Sequence, residues 1–405
     1  MNYNIATLPD GLRVIHLPSD LPVVYCGYQV NAGTRDELPA EEGLAHFCEH
    51  MTFKGTEKRS AWNILNCLES VGGAVNAYTN KEDTVFYAAV PRQYAKRAVD
   101  LLTDIVFHST YPQQEIDKEV EVICDEIESY NDSPADLIYD DFENILFNGH
   151  PLGHNILGTA ERVRSFTTAD AKRFTTKYYR PDNTIFFMYG GSKMPTINTV
   201  PVFPDTSVNV RAAFAAPQGN GSVIVRNKDT HQAHVMVGNT AYGYNDKRRM
   251  ALYLLNNILG GPSMNSRLNV VLREHSGLVY TVESSMAAYS DTGLWCAYLG
   301  CDAKDIKRCL RLVRKELDKF RAKPLSDRRL LAAKRQLKGQ VTIACDNHEN
   351  FALDFGRVFL HTGAGRDIAS LSSLIDAVTA EDMQRVATEV FNPATMTTLI
   401  YTGNR

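Results

Sequence analysis

The chain has little excess charge of either sign: over 405 residues its net charge is -4, with no dense Lys/Arg cluster. It therefore lacks the electrostatic footprint that a nucleic-acid partner would require. No apolar run approaches the roughly 20 residues a membrane-spanning helix needs. The opening MNYNIATLPDGLRVIHL has neither a charged start leading into an apolar core nor the Arg- and Ser-rich character of a mitochondrial presequence. The eight cysteines show no CxxC spacing and mostly sit inside apolar runs. Disulfide staples are not expected, and buried thiols in a reducing, cytoplasmic setting are. What is present is the make-up of a soluble globular chain, 44% hydrophobic and 22% charged. Its length exceeds one comfortable core, so two or more domains are expected.

The two halves of the chain resemble each other. Thr167–Pro181 (TTADAKRFTTKYYRP) aligns with Thr379–Pro393 (TAEDMQRVATEVFNP), so that Asp170 meets Asp382, Arg173 meets Arg385 and the two prolines coincide. Each segment reads as a capped helix, an aromatic-x-Pro break and a closing strand, at Thr184–Tyr189 and Met396–Tyr401. The openings agree too: Leu12–Val30 and Val223–Gly238 each alternate as two short strands. A helical stretch follows each pair, around Pro39–Phe53 and Lys247–Leu259. Between the halves, 194–221 is rich in Pro, Val, Asn and Gly without a helical period and reads as a linker. The expectation is a duplicated α+β chain: a first domain over 1–193, the linker, and a homologous second domain over 222–405. Each would be an antiparallel sheet with helices packed on one face.

Glu42–Lys54 reads EGLAHFCEHMTFK. His46 and His50 are four apart and leave one face of a helix a turn apart, which lets two imidazoles share one zinc. Glu49, beside His50, can take a proton from a water on the metal and pass it to a leaving amine. Pro39, Glu41 and Glu42 suit the first turn of that helix. Cys48 points away from the ligand face and reads as core. A catalytic zinc needs a third protein ligand and an open fourth position. Tyr111–Tyr130 (YPQQEIDKEVEVICDEIESY) offers a helix opened by Pro112 with an apolar stripe of Ile116, Val120, Ile123 and Ile127. Glu119 and Glu126, two turns apart on one face, are the candidates: one to bind metal, the other to orient a ligand.

At this point the residues resemble the pitrilysin/insulinase family, the inverted zincins, whose H-x-x-E-H runs opposite to H-E-x-x-H. The match of VICDEI (Val122–Ile127) to the family's second helix implies Glu126 as the third ligand and Glu119 as the accompanying carboxylate. NAGTRD (Asn31–Asp36), FKGT (Phe53–Thr56), GGAVNAYT (Gly72–Thr79), PLGHNILG (Pro151–Gly158) and YRPDN (Tyr179–Asn183) extend the resemblance in order over nearly the whole chain. The family's N-A-[YF]-T strand is an exposed edge to which substrate adds as a further strand, which implies Asn76 and Ala77 as substrate contacts.

In the second half, RLNVVLREHSGLVY places Arg273 and Tyr280 seven apart, as in the family's pair that holds the substrate backbone and the oxyanion. Long family members close four such domains as two bowls around a chamber. A two-domain chain, similar to processing-peptidase subunits, corresponds to one bowl, and the resemblance implies a dimer. Because this chain carries both sets, a homodimer suffices, although heterodimers occur among relatives. The reading is a zinc-dependent metalloendopeptidase acting on oligopeptides or unfolded segments in a closed chamber. The alternatives are a processing subunit dedicated to one precursor peptide and a non-catalytic scaffold of the same fold.

Overall fold

The structure is a computed structural model that describes residues 3–197, 211, 219–228, 230–365 and 367–403. Most of the expected linker lies outside the described residues. Strands occupy β1 Asn4–Thr7, β2 Arg13–Leu17, β3 Val23–Val30, β4 Ala74–Thr79, β5 Thr84–Pro91, β6 Thr184–Tyr189, β7 Val223–Asn227, β8 Ala233–Ala241, β9 Val279–Ala288, β10 Gly293–Cys301 and β11 Thr397–Thr402. Helices occupy α1 Leu44–Thr52, α2 Ala61–Glu69, α3 Ala95–His108, α4 Gln113–Asn131, α5 Pro134–Leu146, α6 Ala160–Val163, α7 Thr168–Tyr178, α8 Arg249–Gly260, α9 Ile306–Ala322, α10 Asp327–Ala344, α11 His348–Thr362, α12 Ile368–Ala377 and α13 Ala380–Val390.

The first sheet runs β1-β2-β6-β3-β5-β4 and the second β7-β11-β8-β10-β9. Without β1, which the sequence reading did not include, the two orders are the same. Both are antiparallel except for one parallel pair, β2 with β6 and β7 with β11. The caps repeat as well. The Thr167 hydroxyl and N–H donate to Asp170, and those of Thr379 donate to Asp382, so α7 and α13 begin with the same Thr–Asp pairing. Sequence likeness and strand order thus describe one duplicated α+β unit.

The chain divides into two compact units that part within the stretch expected as the linker and exchange two further segments. Tyr130–Gly153 groups with the second unit and Ala344–Asp367 with the first. In the first unit one face of the sheet (Val24, Cys26, Tyr28, Phe86, Ala88, Phe186) packs against the helices that follow its own strands, among them α1, α3, α4 and α7. On the opposite face lies α11, from the other half of the sequence. Gln29 donates to the Leu353 carbonyl at 2.9 Å, and Tyr87 to Glu349 at 3.0 Å. Gly356 sits so close that a Cβ there would meet the Phe187 ring at 2.8 Å.

The second unit mirrors this. Ile138, Phe142 and Leu146 of α5 pack on Met236, Leu294, Cys296, Leu399 and Tyr401. The other face carries Trp295, whose indole donates to Asn256 on α8 and meets Phe391 just past α13. The expected helical layer is present in each unit, and an additional helix covers the second face. That cover explains why β10 is buried at every position: a strand enclosed on both faces is apolar throughout rather than alternating. Among the described residues no helix is long and apolar enough to cross a membrane.

Candidate metal centre and substrate cleft

The helix carrying the histidine motif is shorter than its sequence predicts. It starts at Leu44, after Gly43 in the left-handed region at φ 93°. Pro39, Glu41 and Glu42 precede it and form no part of a first turn, so that expectation is corrected. The acidic group at the helix start is Glu37, whose buried carboxylate accepts from the N–H groups of Gly43 (3.1 Å) and Ala45 (2.7 Å) and pairs with His154 Nε2 (3.0 Å). A side chain from outside the helix satisfies orphan donors that the helix cannot satisfy itself.

One helical turn then brings the His46 and His50 rings to 4.6 Å between centroids. α4, held by the buried stripe of Ile116, Val120, Ile123 and Ile127, presents Glu119 and Glu126 to them. Glu126 Oε2 lies 3.3 Å from His50 Nε2 and 3.8 Å from His46 Nε2. One ligand atom from each of the three residues lies within 4.8 Å of the others. Ligand atoms around a tetrahedral zinc stand about 3.3 Å apart, given metal–ligand distances near 2.0–2.1 Å; the 3.3 Å and 3.8 Å separations of Glu126 from the two rings approach that, and two imidazoles with a carboxylate are donors that zinc takes.

Glu119 is placed differently. Its Oε1 is 3.0 Å from His50 Nδ1, and its Oε2 takes an ion pair from Lys54 at 2.6 Å. A carboxylate on Nδ1 leaves Nε2 as the atom facing Glu126, the arrangement that orients metal-bound imidazoles. Burial, together with the nearby His50 charge, lowers His46 to about 4 and leaves its ring neutral. Burial also disfavours charge on His50, but hydrogen bonds to Glu119 and Glu126 outweigh it and raise that imidazole to about 9. A protonated His50 places its charge between the Glu119 and Glu126 carboxylates.

Glu49 is buried beside these groups. Burial raises its carboxyl to about 7, opposed by the hydrogen bond from Thr79. Such a group exchanges protons near neutrality. Cys48 is fully buried on the opposite side of α1, near the Ala171 carbonyl.

β4 is an edge strand, paired only with β5 among the described residues. Asn76 is exposed and Ala77 half-buried. Both line a cleft of about 470 Å³ together with Glu49, His50 and Glu119. Its apolar wall is Phe53, Ala61, Trp62, Ile64, Leu65 and Val75, with Trp62 66% exposed. Arg273 and Tyr280 belong to the second unit. Arg273 is exposed in the turn of helix Asn269–Glu274, and Tyr280 is 78% exposed on edge strand β9. The sequence reading did not single out Thr79, Lys54, Glu37 or the cleft-lining Trp62 and Leu65. Thr79, Lys54 and His154 lie within GGAVNAYT, FKGT and PLGHNILG, and those motifs are their one signal in the sequence.

The profile described as Insulinase (Peptidase family M16) matches residues 14–160, and that described as Peptidase M16 inactive domain matches 165–337. A Bacillus subtilis protein named as an uncharacterized zinc protease is 31% identical over 95% of this chain and 95% of its own length. The chain belongs to peptidase family M16, the insulinase family. A second M16 relative, a Streptomyces coelicolor protein also named as an uncharacterized zinc protease, is 32% identical over 95% of this chain and 86% of that one. Among solved structures, a protease from Helicobacter pylori superposes with TM-score 0.92 at 20% identity, covering 99% of both chains. A Pseudomonas fluorescens chain described as a peptidase M16 inactive domain gives 0.86 at 19%, covering 100% of this chain and 99% of that one. At such identities the likeness shows the M16 fold. The half matched by the inactive-domain profile lacks H-x-x-E-H.

Proposed function

We propose that the chain is a zinc endopeptidase cutting oligopeptides or unfolded segments, with His46, His50 and Glu126 as metal ligands. The observation that carries this reading is the convergence of His46 Nε2, His50 Nε2 and Glu126 Oε2. It occurs beside a buried carboxylate and a cleft open along an edge strand. When bound, zinc supplies a Lewis acid that acidifies water and polarises a carbonyl. Glu49 accepts the proton of the attacking water and returns it to the leaving amine. Glu119 and Lys54 hold His50 in the required orientation. Asn76 and Ala77 bind the substrate backbone as an added strand, and the wall of Phe53, Trp62 and Leu65 receives an apolar side chain.

Arg273 and Tyr280 are proposed to stabilise charge on the carbonyl oxygen. A homodimer would let one subunit's pair serve the other's metal centre and would restrict substrates to those entering a chamber. The eight cysteines are free thiols, which supports a cytoplasmic location. The test is zinc content and cleavage of a mixed peptide library for wild type, Glu49→Gln and Glu126→Gln. Retained zinc with lost cleavage in the first and weakened zinc in the second support the assignment. A wild type that takes up no zinc leaves only the scaffold reading.

A further inference from the structure

β4 carries two features three residues apart. Asn76 and Ala77 face the cleft, while Thr79 at the strand end is buried and turned toward α1. Its hydroxyl donates to Glu49 Oε2 at 2.6 Å. Among the described residues Glu49 Oε1 has no hydrogen bond, so Thr79 fixes one carboxylate oxygen and leaves the other for water. The hydroxyl itself is rigidly placed. Thr79 pairs with Thr84 across the hairpin, and the Thr84 hydroxyl donates to the Ala32 carbonyl at 2.9 Å. The turn beyond is closed by Asn80 N–H to the Asp83 carbonyl at 2.8 Å. It is also tied to the preceding loop by the N–H groups of Thr34 and Arg35, which donate to the Asn80 and Lys81 carbonyls. A β-branched residue in a strand has few χ1 choices, which further limits where the hydroxyl can point.

We propose that Thr79 is a positioning residue for the reaction, aiming Glu49 through its hydroxyl and linking the substrate-binding strand to the proton-transferring carboxylate. The proposal rests on the endopeptidase reading above. The hydrogen bond goes to a carboxylate and is charge-assisted, among the stronger kinds. A swing of a reacting group by about 1 Å costs on the order of 100-fold in rate. Thr79→Val keeps the shape and removes the donor.

The experiment first measures zinc uptake and peptide cleavage by wild type, then kcat, KM and zinc affinity, by chelator competition, for Thr79→Val, Thr79→Ser and Thr79→Val combined with Glu49→Gln. The expected result for Val is a kcat lower by about 10- to 100-fold, with KM and zinc affinity within about twofold. Serine restores most of kcat. The combined variant is no slower than Glu49→Gln alone, because a residue that acts only through Glu49 has nothing left to position.

Thr79→Val with kcat within about twofold of wild type overturns the proposal, and so does a serine variant as slow as valine. A further loss in the combined variant also overturns it, by showing a structural role. Should the valine variant not fold, Thr79→Ala takes its place, alone and combined with Glu49→Gln, and is read against serine by the same criteria. A wild type without zinc or cleavage sinks the endopeptidase reading, and this proposal with it. An active wild type matched by Thr79→Val sinks the proposal alone.

Discussion

At the scale of single residues, the candidate site separates metal binding from proton transfer by burial and partner. Glu126 stays half-exposed, and its hydrogen bond with His50 holds its carboxyl below the usual range. Glu49 is enclosed, and its carboxyl is raised to about 7 by that burial. Glu49→Gln should therefore keep its zinc while cleavage falls by about 100- to 10,000-fold, read by metal analysis and peptide assay on the same sample. Glu119 touches His50 from behind, so Glu119→Gln should weaken zinc binding by about 10- to 100-fold in a chelator competition. Cys48 is sealed in the core and its thiol is held well above its ordinary value by burial. It should resist alkylation in the folded chain and react only on unfolding, as mass spectrometry of labelled peptides would show.

At the scale of elements, α1 depends on a residue it does not contain. Glu37→Ala would leave the Gly43 and Ala45 N–H groups without their acceptor, a cost of about 2 kcal/mol measurable by urea unfolding. Burial holds the Glu37 carboxyl at about 7 against an ordinary 4.5. Between those values the folded chain binds the proton more tightly than the unfolded chain, so stability falls as pH rises through that window. Glu37→Gln should flatten that slope, and an unchanged slope would assign it to another group. The helix start is also where sequence reasoning failed. Acidic residues at 41 and 42 looked like a first turn, but Gly43 breaks the backbone there. Glu41 instead accepts from the Leu38 N–H and the Arg173 guanidinium. The long α4 was read accurately, because its apolar stripe and opening proline are signals within one element.

At the scale of the whole molecule, the proposed division of labour between Glu49 and Arg273 has a sharp consequence for a homodimer with shared sites. Inactive Glu49→Gln and Arg273→Ala proteins, mixed and allowed to exchange subunits, should regain roughly a quarter of wild-type cleavage. Half the dimers are then mixed, with one intact site in each. No recovery, with light scattering confirming exchange, would place both residues' action within one chain.

The local patterns were legible from the sequence alone because they are periodic. Two histidines four apart share a helix face, Glu119 and Glu126 share another, and the duplicated Thr–Asp caps repeat in both halves. Such spacing says which side of an element is apolar or ligating, but not which surface will cover it. Only the folded chain brings Glu126 to His46 and His50, Lys54 to Glu119 and the Thr79 hydroxyl to Glu49. Only the folded chain sends α5 and α11 to the sheets of the opposite halves. An apolar helix face can be satisfied by any complementary apolar surface, and packing among all the elements selects one.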